Sequence, residues 1–189
     1  LTNGKYGYFS PDDYSLQQLN KTGWMTDNTG KYYVGSDYYL LAGSQSIDGK
    51  IYYLDPENGC RMLTGWRQIG DRWACYDVFG ALLFGAFYVD GDLYYSGTDG
   101  LTVVGWYTLG DGTKCYGIAE EKGKLAIGWV EIEGTLYYFN ENGIFTGQTK
   151  GVTAIDVSSY QGYIDWEKVK ASGVNYAIIR AVTWSGGQD

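Results

Sequence analysis

The chain repeats itself about every twenty residues. An ending of the apolar-x-Gly type recurs along it, and successive glycines of these endings are 19 to 23 positions apart. These glycines are Gly23, Gly43, Gly65, Gly85, Gly105, Gly128 and Gly147. They mark off the units 24–43, 44–65, 66–85, 86–105, 106–128 and 129–147, after a degenerate unit at residues 4–9. Self-similarity at this period is typical of an array of small stacked units.

Each unit has the pattern of a β-hairpin. In the last unit, the run Trp129–Ile132 leads into Glu133-Gly134 and then into the run Leu136–Phe139. Asp-Gly stands at the same place in three other units, as Asp48-Gly49, Asp90-Gly91 and Asp111-Gly112. Such dipeptides favour two-residue hairpin turns, because glycine accepts a positive φ. A lone hairpin is marginal in water, so we predict a mainly β fold in which the hairpins stack into a solenoid.

Composition limits the chemistry that the chain can perform. It contains no histidine, which excludes Ser-His-Asp and Cys-His catalysis and histidine-ligated metals, and we expect neither a metal nor a cofactor. Cys60, Cys75 and Cys115 lack the spacing of a disulfide framework or a CxxC site, so we interpret them as small buried side chains. Most of the 20 tyrosines are expected to form the core between hairpins.

The charge is negative and unevenly distributed. Residues 1–147 carry 10 Lys and Arg against 18 Asp and Glu, whereas residues 148–189 carry 4 of each kind. An acidic module repels phosphate backbones and anionic lipids, so we expect no nucleic-acid partner. No apolar run reaches the roughly 20 residues of a membrane-spanning helix, so we expect no membrane insertion. Neutral sugars and small cations remain compatible with this charge.

The units GWVEIEGTLYYFNENGIFTG (128–147) and IDGKIYYLDPENGCRMLTGW (47–66) resemble the cell-wall-binding repeats of bacterial surface proteins. That group includes choline-binding modules, the glucan-binding repeats of glucosyltransferases and the repeats of clostridial toxins. The resemblance covers residues 23–147 well and residues 1–22 loosely. It implies a secreted or cell-surface protein whose partner is a wall glycan or a choline-bearing polymer. Self-association through the repeats is left open.

In the choline-binding branch, the resemblance implies cages of two tryptophans from one unit and a tyrosine from the next. Only the third unit keeps both tryptophans, Trp66 and Trp73, with Tyr95 as the expected third wall. Trp106 and Trp129 keep the first of the two positions. A series of cages is therefore not expected. Two alternatives remain, a single choline cage or shallow aromatic platforms for sugar rings.

The C-terminal segment, residues 148–189, differs from the repeats of residues 1–147. Val152–Val157 and Tyr176–Val182 are apolar runs typical of buried parallel strands. Between them, Asp165 is placed to cap a helix from Trp166 to about Ser172, which Gly173 ends. We therefore predict a short β-α-β segment, as at the start of a TIM-like barrel.

The stretch VTAIDVSSYQGYIDWEKVKASGVNYAIIRA (152–181) resembles the start of glycoside hydrolase family 25, lysozymes that cleave the β-1,4 bond between N-acetylmuramic acid and N-acetylglucosamine. The resemblance implies that Asp156 is a catalytic carboxylate. The alternative is that Asp156 caps its own turn with Ser158 and Ser159. Asp165 is interpreted as a helix cap and Glu167 as a solvated residue.

The same resemblance places an Asp-x-Glu pair on a later strand of the barrel, which these 189 residues do not include. We therefore expect the chain to be a piece of a longer muramidase and to be inactive by itself. The alternatives are a non-catalytic glucan-binding or adhesin-type protein and a structural spacer without a ligand.

Overall fold

The computed structural model describes residues 4–151, 153–157, 163–174 and 176–179, which are mainly β. The strands of the repeats are β1 (Tyr8–Phe9), β2 (Leu16–Gln17), β3 (Gly23–Thr26), β4 (Lys31–Val34), β5 (Gly43–Ile47), β6 (Lys50–Asp55), β7 (Arg61–Met62), β8 (Gly65–Ile69), β9 (Arg72–Tyr76), β10 (Gly85–Val89), β11 (Asp92–Ser96), β12 (Gly105–Thr108), β13 (Lys114–Ile118), β14 (Lys124–Leu125), β15 (Gly128–Ile132), β16 (Thr135–Phe139) and β17 (Phe145–Gly151). Short 3-10 helices follow β6 (Pro56–Asn58) and β13 (Ala119–Glu121).

Each predicted unit contains one hairpin. The pairs are β3–β4, β5–β6, β8–β9, β10–β11, β12–β13 and β15–β16. β7 adds to the β5–β6 hairpin, β14 lies between β11 and β13, and β17 pairs with β16. The prediction of a mainly β, hairpin-based fold is therefore confirmed, and the assembly of all the hairpins into a solenoid stays a prediction.

The turns follow the glycine pattern in three units and depart from it in a fourth. Asp48-Gly49, Asp90-Gly91 and Glu133-Gly134 all have positive φ at both residues, as a two-residue type I′ turn requires. At Asp111-Gly112 the predicted tight turn is replaced by a longer connection between Thr108 and Lys114. The Asp111 carboxylate there accepts hydrogen bonds from the Thr113 backbone N–H (2.9 Å) and hydroxyl (2.7 Å), which stabilise the wider loop.

The segment that follows one hairpin forms backbone hydrogen bonds with the hairpin before that one. Leu82, after β9, donates its backbone N–H to the Ile51 carbonyl of β6 at 2.8 Å. Thr102, after β11, donates to the Trp73 carbonyl of β9 at 2.7 Å. β14 pairs with β11 through Lys124 and Tyr94. These backbone hydrogen bonds hold successive hairpins together. Each hairpin needs this support, because a two-stranded ribbon is only marginally stable by itself.

The chain divides into two compact units, one formed by Leu1–Tyr107 with Tyr116–Leu125 and the other by Thr108–Cys115 with Ala126–Asp189. The first unit has two described core clusters. Their buried members are Tyr32, Val34, Leu40 and Cys60 in one, and Cys75, Phe87 and Tyr94 in the other. The predicted domain limits, 1–147 and 148–189, stay a prediction.

The C-terminal segment forms β18 (Ala154–Val157), α1 (Trp166–Ala171) and β19 (Tyr176–Ile179). β18 and β19 are parallel, with Ala154 opposite Tyr176 and Val157 opposite Ile179. The predicted cap is confirmed, because the Asp165 carboxylate accepts the Lys168 N–H at 3.2 Å. The predicted strand positions Val152 and 180–182 lie outside the described residues. Among those described, no helix has the length and apolarity of a membrane span.

Gly100 follows β11 and packs against Leu82, which follows β9, and we expect one methyl group added at Gly100 to destabilise this contact. Gly100 has a φ of +75°, and an added Cβ would lie 2.5 Å from Leu82 Cδ2. Gly100→Ala should lower the free energy of unfolding by about 2 to 4 kcal/mol, from backbone strain and overpacking, measured by urea denaturation. Gly110→Ala is the matched control, since its Cβ meets nothing within 4 Å. Equal stability of the two variants would contradict this account.

The three cysteines are free and buried, which confirms their interpretation as core side chains. Burial raises the pKa of each thiol to about 11. A disulfide reagent attacks through the thiolate, so at pH 8 the native chain should react at least ~100-fold more slowly than the urea-unfolded chain. Absorbance at 412 nm with Ellman's reagent measures both rates. Rapid labelling of any cysteine in the native chain would show that its site opens.

Candidate ligand-binding site

Four of the units begin with a tryptophan, and the hairpin register fixes which residues surround it. Trp24 lies opposite Tyr33 and Trp129 lies opposite Tyr138. In the third unit Trp66 lies opposite Cys75, a much smaller side chain. Residues two apart on a strand share a face, so Trp73 projects from the same face of β9 as Cys75. The two indoles, Trp66 and Trp73, are therefore brought together.

Trp66 and Trp73 form an aromatic corner. Their ring centroids are 6.4 Å apart and the ring planes are perpendicular, at 90°. The next hairpin supplies two more rings, with Tyr94 at 4.9 Å and Phe87 at 6.2 Å from Trp66. Tyr94 and Phe87 are buried, whereas both tryptophans are only partly buried. The corner therefore combines a packed base with accessible indole surface.

The third wall of this corner is Tyr94, and Tyr95 lies elsewhere. Tyr95 contacts Tyr107 of the following hairpin, with ring centroids 5.6 Å apart. Neighbouring residues on a strand point to opposite faces, so Tyr94 and Tyr95 cannot both face Trp66. Phe87, which contacts Trp66, lies directly opposite Tyr94 in the β10–β11 pairing and therefore on the same face of the sheet. The register of this pairing is the signal that identifies Tyr94 as the tyrosine facing Trp66.

A second corner involves Trp24, which the sequence did not single out. Its ring lies 5.1 Å from Tyr33 of its own hairpin and 4.8 Å from Tyr52 of the next. Tyr52 and Tyr94 hold the same position in their repeats, the first of two successive tyrosines. The Gly23-Trp24 dipeptide was the available signal for this site.

Trp106 and Trp129 present more open surfaces. Trp106 is 41% exposed and Trp129 is 43% exposed. Each stands against a tyrosine of its own hairpin, Tyr116 at 5.5 Å and Tyr138 at 5.2 Å. Their exposed indoles suit the platform alternative better than an enclosed cage.

Lysine ammonium groups lie over several of these indoles. Lys122 Nζ is 5.3 Å from the Trp66 ring and 5.1 Å from the Trp73 ring. Lys31 Nζ is 4.3 Å from the Trp24 ring, and Lys150 Nζ is 4.7 Å from the Trp129 ring. These distances lie within the range of cation–π attraction.

The floor of the Trp66–Trp73 corner is apolar. Burial raises the pKa of Cys75 to about 11, while the nearby Lys122 ammonium acts in the opposite direction. Trp66 also lines an open cavity of about 570 Å³ together with Leu83, Phe87 and Tyr88, and the lining of this cavity does not include Trp73. Tyr88 is 65% exposed there. Apolar rings beside open space are the usual lining of small-ligand sites.

Asp156, the carboxylate that the resemblance implies to be catalytic, lies on β18 and is exposed, opposite Ile178 of β19. Its alternative partners Ser158 and Ser159 lie outside the described residues. Glu167 is exposed on α1, as expected for a solvated residue. Tyr176 donates a hydrogen bond to the Glu131 carboxylate, which raises the pKa of Tyr176.

Residues 127–145 match the family model described as a putative cell wall binding repeat. Among curated proteins, glucosyltransferase-S of Streptococcus downei is 25% identical over 76% of this chain, and lysozyme M1 of Streptomyces globisporus is 40% identical over 26% of it. The chain spans only 13% and 17% of these two relatives.

Two solved structures from Streptococcus pneumoniae are similar in fold. CbpJ is 30% identical, with a TM-score of 0.61 over 67% of this chain and 42% of that one. Choline binding protein F, crystallised in the presence of a peptidoglycan analogue, is 29% identical, with a TM-score of 0.61 over 75% of this chain and 47% of that one. Residues 127–145 thus match a putative cell wall binding repeat, and the hairpins of the chain are similar in fold to those of CbpJ and choline binding protein F.

Proposed function

We propose that the hairpins form a cell-wall binding module, which holds its protein on a wall glycan or a choline-bearing polymer. The observation that carries this proposal is the perpendicular Trp66–Trp73 pair, set against rings of the next hairpin. Choline binding protein F, which is similar in fold, supports a wall polymer as the partner. A protein with this role acts outside the cell, secreted or at the cell surface.

An aromatic corner can hold either class of ligand. A quaternary ammonium over an indole face gains roughly 2 kcal/mol or more when it is desolvated. A sugar ring instead stacks its apolar face, which is formed by C–H groups, on the indole. The acidic charge of residues 1–147 tolerates both ligands and disfavours polyanions.

The parent protein is proposed to be a muramidase that cleaves the N-acetylmuramic acid–N-acetylglucosamine bond. The similarity to lysozyme M1 and the β18–α1–β19 segment support this proposal. Ile178 and Ile179 are each 63% exposed, although parallel strands are ordinarily covered on both faces. Further barrel elements would cover them, with Asp156 as one active-site carboxylate.

A glucan-binding role is the second candidate. The similarity to a glucosyltransferase over 76% of this chain favours it. In that case the same aromatic surfaces would hold a glucan and the C-terminal segment would have no catalytic role. Dextran as a probe separates this candidate from peptidoglycan binding.

Binding should depend on Trp73. Trp73→Ala removes one wall of the corner, and we expect at least a tenfold loss of affinity for purified cell walls, measured by co-sedimentation of the 189-residue chain. Trp73→Tyr keeps a ring and should retain part of the affinity. Trp166→Ala, on α1 outside the hairpins, is the matched control. Unchanged binding by a folded Trp73→Ala chain would refute a role for the corner.

We expect the 189-residue chain to release no products from peptidoglycan. Glycoside hydrolysis needs two carboxyl groups flanking the bond, one of them an acid. In the described sequence after Asp156, the Asp165 carboxylate is engaged as a helix cap and Glu167 is exposed on α1. Reducing-end analysis after incubation with peptidoglycan is the measurement. New reducing ends from this chain, lost on Asp156→Asn, would show that it is already catalytic.

A further inference from the structure

Among the described residues, lysines of the chain itself already lie over the rings of four tryptophans. Lys31 lies over Trp24, Lys122 over both Trp66 and Trp73, and Lys150 over Trp129, all between 4.3 and 5.3 Å from the ring centroids. An ammonium at this distance stands where the quaternary ammonium of choline would be bound.

The three lysines reach the indoles by different routes. Lys31 comes from the partner strand of the same hairpin, at the position that Trp73 holds in the third unit. Lys122 comes from the turn after β13, about fifty residues along the chain from Trp73. Lys150 comes from β17, opposite Leu136. No single local pattern places them, so the feature that they share is the cation over the ring.

The backbone of Lys122 gives an independent reason to regard its position as functional. Lys122 has a φ of +59° and ends the 3-10 helix Ala119–Glu121. The corresponding residue after the 3-10 helix Pro56–Asn58 is Gly59, with a φ of +64°. Glycine adopts this conformation without a steric penalty, whereas lysine does not. A strained residue that presents its charge to two indoles is a candidate for a role in binding.

We infer that Lys122 closes the Trp66–Trp73 corner to quaternary ammonium ligands, so that the corner takes a neutral glycan. A second cation would have to displace the ammonium or lie against a like charge, which is unfavourable in a partly buried site. A neutral sugar meets no such repulsion, and its hydroxyls can accept hydrogen bonds from the three N–H groups of Lys122. This inference rests on the proposed wall-binding function and names its ligand class.

Choline chloride and the N-acetylglucosamine tetramer are the two probes for calorimetric titration of the 189-residue chain. The unsubstituted chain should bind the tetramer in preference to choline. Lys122→Gly removes the ammonium and relieves the backbone strain, and this variant should bind choline at least tenfold more tightly than the unsubstituted chain does. Lys122→Arg keeps a cation and should exclude choline as the unsubstituted chain does. Lys21→Gly, at an exposed lysine before β3, controls for the loss of one charge.

A gain of choline binding in Lys122→Gly that disappears in the double variant Lys122→Gly, Trp73→Ala supports the inference. If the unsubstituted chain bound choline as tightly as Lys122→Gly does, the inference would be overturned, and an equal gain of choline binding in Lys21→Gly would also overturn it. If the unsubstituted chain binds neither cell walls nor the tetramer, the proposed function fails. If the unsubstituted chain binds walls and Lys122→Gly gains no choline binding, only the ligand assignment fails.

Discussion

The contact between one hairpin and the next is the interaction on which this structure depends. A two-stranded ribbon buries too little surface to be stable alone. Here the Thr102 N–H bonds the Trp73 carbonyl of the preceding hairpin, while Tyr94 packs on Trp66. The rings that stabilise the pair of hairpins are therefore also the rings that form the candidate site.

Because the same group of rings stabilises the hairpins and forms the candidate site, it contains both buried and accessible rings. Phe87 and Tyr94 are buried and serve as the floor, whereas Trp66 and Trp73 keep accessible surface. Trp24 and Tyr52 form a similar contact between rings two repeats earlier in the chain. A lysine ammonium also lies over the indole of each corner, and by our inference this charge disfavours a quaternary ammonium ligand there.

Much of the local structure could be predicted from the sequence. The glycine spacing and the dipeptides Asp48-Gly49 and Asp90-Gly91 predicted the hairpins, because few residues other than glycine accept the required φ. Asp165 was identified as the cap of a short helix that begins at Trp166. The prediction failed at Asp111-Gly112, where the backbone N–H and the hydroxyl of Thr113 donate hydrogen bonds to the Asp111 carboxylate and favour a longer loop.

The repeat and the hairpin of each unit follow from the sequence alone, because they depend on local backbone preference and strand periodicity. The pair Trp66 and Trp73 was singled out by the resemblance to choline-binding repeats. The tertiary structure decided which tyrosine faces the pair, because that depends on the register between strands. It also decided that Lys122 lies over both indoles. That residue is about fifty positions away along the chain, and only the packing of one repeat against another brings its charge to the rings.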